Sequence, residues 1–212
     1  MFTANISFEK LGDLVSDELF SIEEKEDEDR ELDPEEAIEF MNRLRIGDPM
    51  DNATDMGPLA QKSGIKTIED QLKDAIDKGA EIKRHPGPLP NNGKYQLPAI
   101  LKNVNHNMTI MMEETFGSIV GIMAVKSDEE AIQLMNDSPY GLTASVWTND
   151  PEKAIEIGSH IETGTFFMNR CDYLDPSLPW VGVKDSGKGC TLSTLGIQQL
   201  TRTKGYNMQL RH

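Results

Sequence analysis

Residues 118–169 read SIVGIMAVKSDEEAIQLMNDSPYGLTASVWTNDPEKAIEIGSHIETGTFFMN, and their rhythm decides the fold class. Residues 118–125 are rich in Ile and Val, the composition of a strand buried on both faces. Ser127 follows, and a serine oxygen can accept from an unpaired N–H in the first turn of a helix, here predicted to run to about residue 135. Residues 142–148 are a second apolar strand. Asp150 then precedes Pro151, a cap followed by the residue whose φ is already helical, so a second helix is predicted to about residue 159. Residues 164–169 are a third strand. Strand, helix, strand, helix, strand in this order predicts βαβ units with parallel pairing.

The same alternation extends outward. On the C-terminal side lie a Gly-rich loop at 181–189, a helix at 193–201 and a last strand at 204–210. On the N-terminal side are apolar strands at 97–104 and 80–83, with a loop at 85–95 carrying three prolines. A helix is predicted at 60–78 from the stripe Ile65, Ile68, Leu72, Ala75 and Ile76, and Gly79 suits the position just past its end. Residues 47–59 are a loop. Asp33-Pro34-Glu35-Glu36 starts a further helix whose apolar face is Ala37, Ile38, Met41 and Leu44. The prediction is an α/β fold over residues 33–212, with a largely parallel sheet and flanking helices. Residues 1–32 stand apart: Leu11, Leu14, Val15, Leu19 and Ile22 recur at helical spacing and run into an acidic tract.

Charge narrows the function. The net charge is −15, and residues 1–36 carry 14 Asp/Glu against 3 Lys/Arg, so the acidity is concentrated there. Such a balance argues against nucleic-acid binding, which needs basic surface. The run from Glu23 to Glu31 has two readings, a docking tail for a basic partner or a solvated helix face or linker, and its composition favours the second. No apolar run approaches the roughly 18 residues of a membrane-spanning helix, and residues 1–10 lack the pattern of a secretory signal. Two cysteines make no disulfide framework, so a reducing, cytoplasmic setting is expected. His85, His106, His160 and His212 are scattered and predict no metal site.

Short strings carry more specific information. Gly47-Asp48-Pro49-Met50-Asp51 with Thr54-Asp55-Met56-Gly57-Pro58-Leu59, then Glu113-Glu114-Thr115-Phe116-Gly117, then Asn136-Asp137-Ser138-Pro139-Tyr140-Gly141-Leu142 with Ser145-Val146-Trp147-Thr148, then Gly164 with Asn169, then Pro179-Trp180-Val181-Gly182-Val183-Lys184-Asp185-Ser186-Gly187 follow one another along the chain. In this order and spacing the chain resembles the aldehyde dehydrogenases over about residues 35–210. Ser118 stands where the family's E-E-x-F-G-P string has its proline.

The resemblance implies the family's α/β catalytic domain, ending in a strand that joins an oligomerisation sheet. It implies a parent activity, the NAD(P)-dependent oxidation of an aldehyde to a carboxylic acid. It places the Glu114 carboxylate on the nicotinamide ribose and Phe116 beside the nicotinamide ring. Without the family, Glu114 reads as an exposed acid and Phe116 as a core aromatic. Cys171, Asp172 and Leu174 correspond to the lining of the substrate tunnel. Cys171 also invites a nucleophile reading, which would need a base, cation or helix N-terminus to lower its pKa. The family's own nucleophile lies upstream of Gly47, where this chain has no cysteine. A thiolate that holds the substrate while hydride leaves is the group this chemistry requires. The Gly-rich 182–189 stretch lacks the G-x-x-x-x-G-K-[ST] spacing of a phosphate loop.

The expectation is therefore a truncated family member with no catalytic residue assigned, with NAD or NADP bound weakly or not at all. Its expected partner is a second copy or a full-length relative. The alternatives are a non-catalytic interaction partner and an incomplete gene product.

Overall fold

A computed structural model describes residues 34–90, 93–170 and 173–210. The helix and acidic tract expected at 1–32 lie outside them. Helix α1, Pro34–Arg43, begins with proline in its first turn, as the sequence predicts, and buries Phe40 and Met41. Helix α2, Ser63–Asp77, buries Ile68, Gln71, Leu72 and Ala75. Its end is closed by two reversed bonds, Ala80 N–H to Ala75 O (2.9 Å) and Gly79 N–H to Ile76 O (3.0 Å). Gly79 adopts φ +97°, the left-handed turn that such an end requires.

Strands β1 (Glu81–Arg84), β2 (Ala99–Lys102) and β3 (Ile119–Ile122) form one sheet in the order β1-β2-β3. β1 runs antiparallel to β2, and β3 parallel to it. Alternation along β2 explains the layers. Ala99 and Leu101 join Ile68, Leu72 and Ala75 of α2 in one core. Ile100 turns the other way and packs with Ile122 and with Met41 of α1. The sheet is therefore covered by a helix on each face, which is why β2 has no polar face. A short helix, α3 (Thr109–Met112), follows β2 and precedes β3.

The second half repeats the logic. Helix α4 (Asp128–Asn136) starts at Ser127, whose Oγ accepts from Glu130 N–H at 3.2 Å. Glu130 Oε2 in turn accepts from Lys126 N–H at 2.7 Å. Strand β4 (Tyr140–Gly141) precedes β5 (Thr143–Val146). Helix α5 (Pro151–His160) starts at Asp150, whose Oδ1 accepts from Glu152 and Lys153 N–H. Strand β6 (Thr165–Met168) returns parallel to β5. Val146, Ala154, Ile157 and Ile161 form the core of this βαβ unit, with Phe166 and Met168 against it.

The α/β class stands, and the sheet within it is more divided than the alternation predicts. Among the described strands only β2–β3 and β5–β6 are parallel pairs, with one isolated parallel bridge between Ile46 and Met56. The stretch 181–189 expected as a glycine-rich loop holds the two-residue strand β8 (Val183–Lys184), which pairs antiparallel with β4, and is flanked by β7 (Trp180–Val181) and β9 (Cys190–Thr191), which pair antiparallel with each other. Two residues carry no readable period, and their pairing is set by distant chain. Helix α6 (Ser193–Gln199) follows. Residues 204–210, expected as a strand, form none among the described residues and are exposed. No described helix is long and apolar enough to cross a membrane.

One carboxylate ties the first half together. Asp74 on α2 accepts from Thr109 N–H (2.8 Å) at the start of α3 and pairs with Lys78 Nζ (2.6 Å). The Lys78 ammonium, and then the Thr109 N–H, hold its pKa below the ordinary aspartate value of 3.8. Asp55 is lowered in the same way by Arg45. A depressed folded pKa contributes stability that is fully present above the unfolded value and is lost as pH falls through the folded one. Resistance to urea should therefore decline as pH drops below 3.8, and the decline should flatten in the Asp55→Asn, Asp74→Asn double variant. Urea midpoints measured across that range would check it.

Candidate functional site

The loop 113–118 joins α3 to β3 and is fastened on alternate residues. Glu113 N–H closes α3 on Thr109 O at 2.9 Å. Thr115 Oγ1 donates to Gln71 Oε1 at 2.8 Å. Gly117 lies so close to Ile68 that a Cβ would overlap the Ile68 side chain. Ser118 Oγ reaches Met56 Sδ at 3.1 Å, and its carbonyl accepts from Ala99 N–H at 3.0 Å.

Between these anchors the remaining two side chains point out. Glu114 is exposed and makes no hydrogen bond or ion pair among the described residues. Phe116 is 72 % exposed, so it is not the core aromatic that hydrophobicity alone predicts. It also sits at φ +48°. A bulky residue in that region costs about 1–2 kcal/mol. Apolar exposure and a left-handed backbone thus coincide at one residue, on a loop otherwise strapped down.

The loop 47–59 supports this one from below. Gly47 N–H donates to Met56 O (3.0 Å), and Tyr95 Oη donates to Gly47 O (2.8 Å). Arg45 Nε and its backbone N–H both donate to Asp55 Oδ2, at 3.0 and 2.8 Å. The bend so formed places Met56 against Ser118. The string that opened the resemblance thus braces the loop that carries Glu114.

The other strings clasp one another. Asn136 Nδ2 donates to His160 O, and its Oδ1 accepts from Glu162 N–H, both at 2.7 Å. Lys184 Nζ bonds Asn136 O at 2.7 Å and pairs with Glu162 at 3.0 Å. Ser186 Oγ accepts from Gly141 N–H at 2.9 Å. Asn169, at φ +54°, makes two bonds to the backbone of Thr148. These residues hold β4, β5, β6 and β8 in register and bring no nucleophile or base together.

Cys171 and Asp172 lie outside the described residues. Leu174 is 60 % exposed, and beside it the Tyr173 ring takes the Arg170 guanidinium at 4.2 Å. No hydrogen bond or ion pair among the described residues joins loop 113–118 to residues 173–178. Cys190, the free cysteine of the described residues, belongs to β9, and its N–H is held by Gln199 Oε1 at 3.0 Å. Among the described residues no group of three or more His, Cys, Asp or Glu is placed to hold a metal. The residue that sequence reading missed is Gln71. Its signal was a polar side chain inside the apolar stripe Ile68, Leu72, Ala75 of α2.

The model of the aldehyde dehydrogenase family matches residues 34–206. An aldehyde dehydrogenase of Paenarthrobacter nicotinovorans is 40% identical over 159 residues, covering 74% of this chain and 34% of that protein. The succinate-semialdehyde dehydrogenase (NADP+) of Mycobacterium avium is 35% identical over 167 residues, covering 79% and 35%. Among solved structures, an aldehyde dehydrogenase of Mycobacterium tuberculosis complexed with NAD+ superposes with a TM-score of 0.76 at 34% identity, covering 82% of this chain and 38% of that one. The betaine aldehyde dehydrogenase of Staphylococcus aureus in complex with NAD+ does so with 0.72 at 31%, covering 78% and 34%. The chain spans about a third of the length of the curated relatives it matches.

Proposed function

Because the chain belongs to the aldehyde dehydrogenase family, we propose that its residues supply the nicotinamide-facing edge of the family's catalytic fold without the reacting thiolate. The observation that carries this is the pose of loop 113–118, strapped at Thr115, Gly117 and Ser118 while Glu114 and Phe116 project. A carboxylate with no partner of its own among the described residues offers two acceptor oxygens, which suits the vicinal hydroxyls of a ribose. The projecting Phe116 ring offers an apolar face that excludes water from one side of a nicotinamide. When bound, NAD or NADP supplies the carbon that accepts hydride as an aldehyde becomes a carboxylic acid.

Two features support a non-catalytic role for the 212-residue chain by itself. No cysteine precedes Gly47, and no Gly-x-Gly-x-x-Gly turn for a pyrophosphate occurs in the sequence. Glu114 and Phe116 meet one end of a dinucleotide, so NAD should bind on the order of millimolar or weaker, about −4 kcal/mol at best. The purified chain, given succinate semialdehyde or betaine aldehyde with NAD or NADP, is expected to give no nicotinamide reduction above blank. Turnover abolished by Cys171→Ala would overturn this and make Cys171 the nucleophile.

A second reading, association, is favoured by the C-terminal surface. Leu195, Ile197, Leu200, Tyr206, Met208 and Leu210 are all exposed, a density of apolar side chains that rarely stays uncovered. Residues 202–210 also leave backbone N–H and C=O groups open to a neighbouring strand. Self-association, or joining a longer relative, would cover both. Light scattering should give a mass above that of the monomer at tens of micromolar, and a clean monomer would exclude self-association.

A further inference from the structure

Gln71 occupies a place where apolar side chains would do better for stability. It is 3 % exposed and lies in the stripe of α2 with Ile68, Leu72 and Ala75, all of which are core. One pole of its amide bonds Thr115 Oγ1 at 2.8 Å. The other pole, Nε2, is buried with no partner. An unpaired buried amide pole costs free energy, whichever way the amide is turned, since a hydroxyl both donates and accepts. A residue that raises the energy of the fold while making one bond to a loop is placed for that loop.

We infer that Gln71 is a positioning residue: through Thr115 it sets the pose in which loop 113–118 presents Glu114 and Phe116. The loop's other fastenings are Glu113 N–H on Thr109 O at its start, and the Gly117 backbone on Ile68 and Ser118 on Met56 at its C-terminal end. The Gln71–Thr115 bond is the one that fixes the residue between Glu114 and Phe116. Phe116 is strained at φ +48°, so without this bond the loop relaxes toward ordinary backbone angles and both outward side chains swing with it. The functional consequence rests on the reading of Glu114 as a ribose-binding carboxylate. The positional one does not.

The test compares the full chain with Gln71→Leu, Thr115→Val and the double variant. Leucine nearly conserves volume and removes the unpaired amide, so Gln71→Leu should melt no lower than the unsubstituted chain. Amide hydrogen exchange at residues 114–117 should nonetheless rise about 2- to 10-fold, the range of one lost hydrogen bond, while Leu72 is unaffected. The double variant should exceed neither single change, because both cut the same bond. Nicotinamide mononucleotide, titrated in the millimolar range by NMR, should shift the Glu114 and Phe116 amides and should bind more weakly to each variant by a similar factor.

Exchange at 114–117 unchanged in Gln71→Leu would overturn the positioning role. So would a large fall in melting temperature together with faster exchange throughout α2, which marks a purely structural residue. Faster loop exchange with no nucleotide-induced shift in the unsubstituted chain would keep the positioning role and reject the ribose reading of Glu114.

Discussion

Gly164→Ala should cost about 3 kcal/mol or more, the upper end of what inserting one carbon into a packed interior does. A Cβ at Gly164 would overlap the carbonyl oxygen and carbon of Val181 and approach the Gly182 nitrogen. Those atoms are backbone, so no rotamer change relieves the clash. The backbone there carries β7 and leads into β8, which pairs with β4. The substitution must therefore either part β6 from the 180–184 segment or break the Lys184–Glu162 and Ser186–Gly141 ties. Urea unfolding measures the loss. Gly205→Ala is the control, since a Cβ there meets nothing within 4 Å. It should stay within about 0.5 kcal/mol of the unsubstituted chain. Equal effects at the two positions would show that Gly164 does not touch the Val181 backbone in solution.

Leu101→Ala should be comparably severe. Leu101 has no exposed surface and sits in the central strand of the three-stranded sheet, in the core built with Ile68 and Leu72. Truncation removes the transfer free energy of the lost carbons and leaves a cavity that strands on both sides prevent from collapsing, about 2–5 kcal/mol in all. Against a total stability of about 5–15 kcal/mol this is a large share. Ile155→Ala removes as much hydrocarbon from a residue that is 73 % exposed, and should be nearly neutral. Thermal midpoints of the two variants would separate burial from hydrophobicity as the cause. Similar midpoints would mean that the sheet core is not packed as described.

Much of the fold was legible because its signals are local. The Ser127 and Asp150 caps bond the N–H groups their positions predict, and Gly79 turns left-handed where the helix must end. Apolar spacing located α2, and the Ile- and Val-rich run located β3. The site was legible in a different way. Glu114 and Phe116 were found through a five-residue string, and their exposure was not readable from it. Hydrophobicity alone would bury Phe116, but Gly117 against Ile68 and Thr115 on Gln71 leave it nowhere to go but outward.

By itself, then, the sequence determined the α/β class, the approximate extents of α1, α2, α4, α5 and α6 but not the short α3, the family and the residues of the outward loop. These rest on contacts within a few positions or on strings read in order. Only the tertiary structure decided that β1 enters its sheet antiparallel and that residues 180–191 fold into paired strands. It alone decided that a buried glutamine holds the loop. Each of these depends on which distant backbone or side chain satisfies a polar group. Gln71 and Thr115 are 44 positions apart, and Tyr140 and Lys184, which face each other across β4 and β8, are as far. No periodicity in the chain records such a meeting, because it is fixed by the packing of the layers between them.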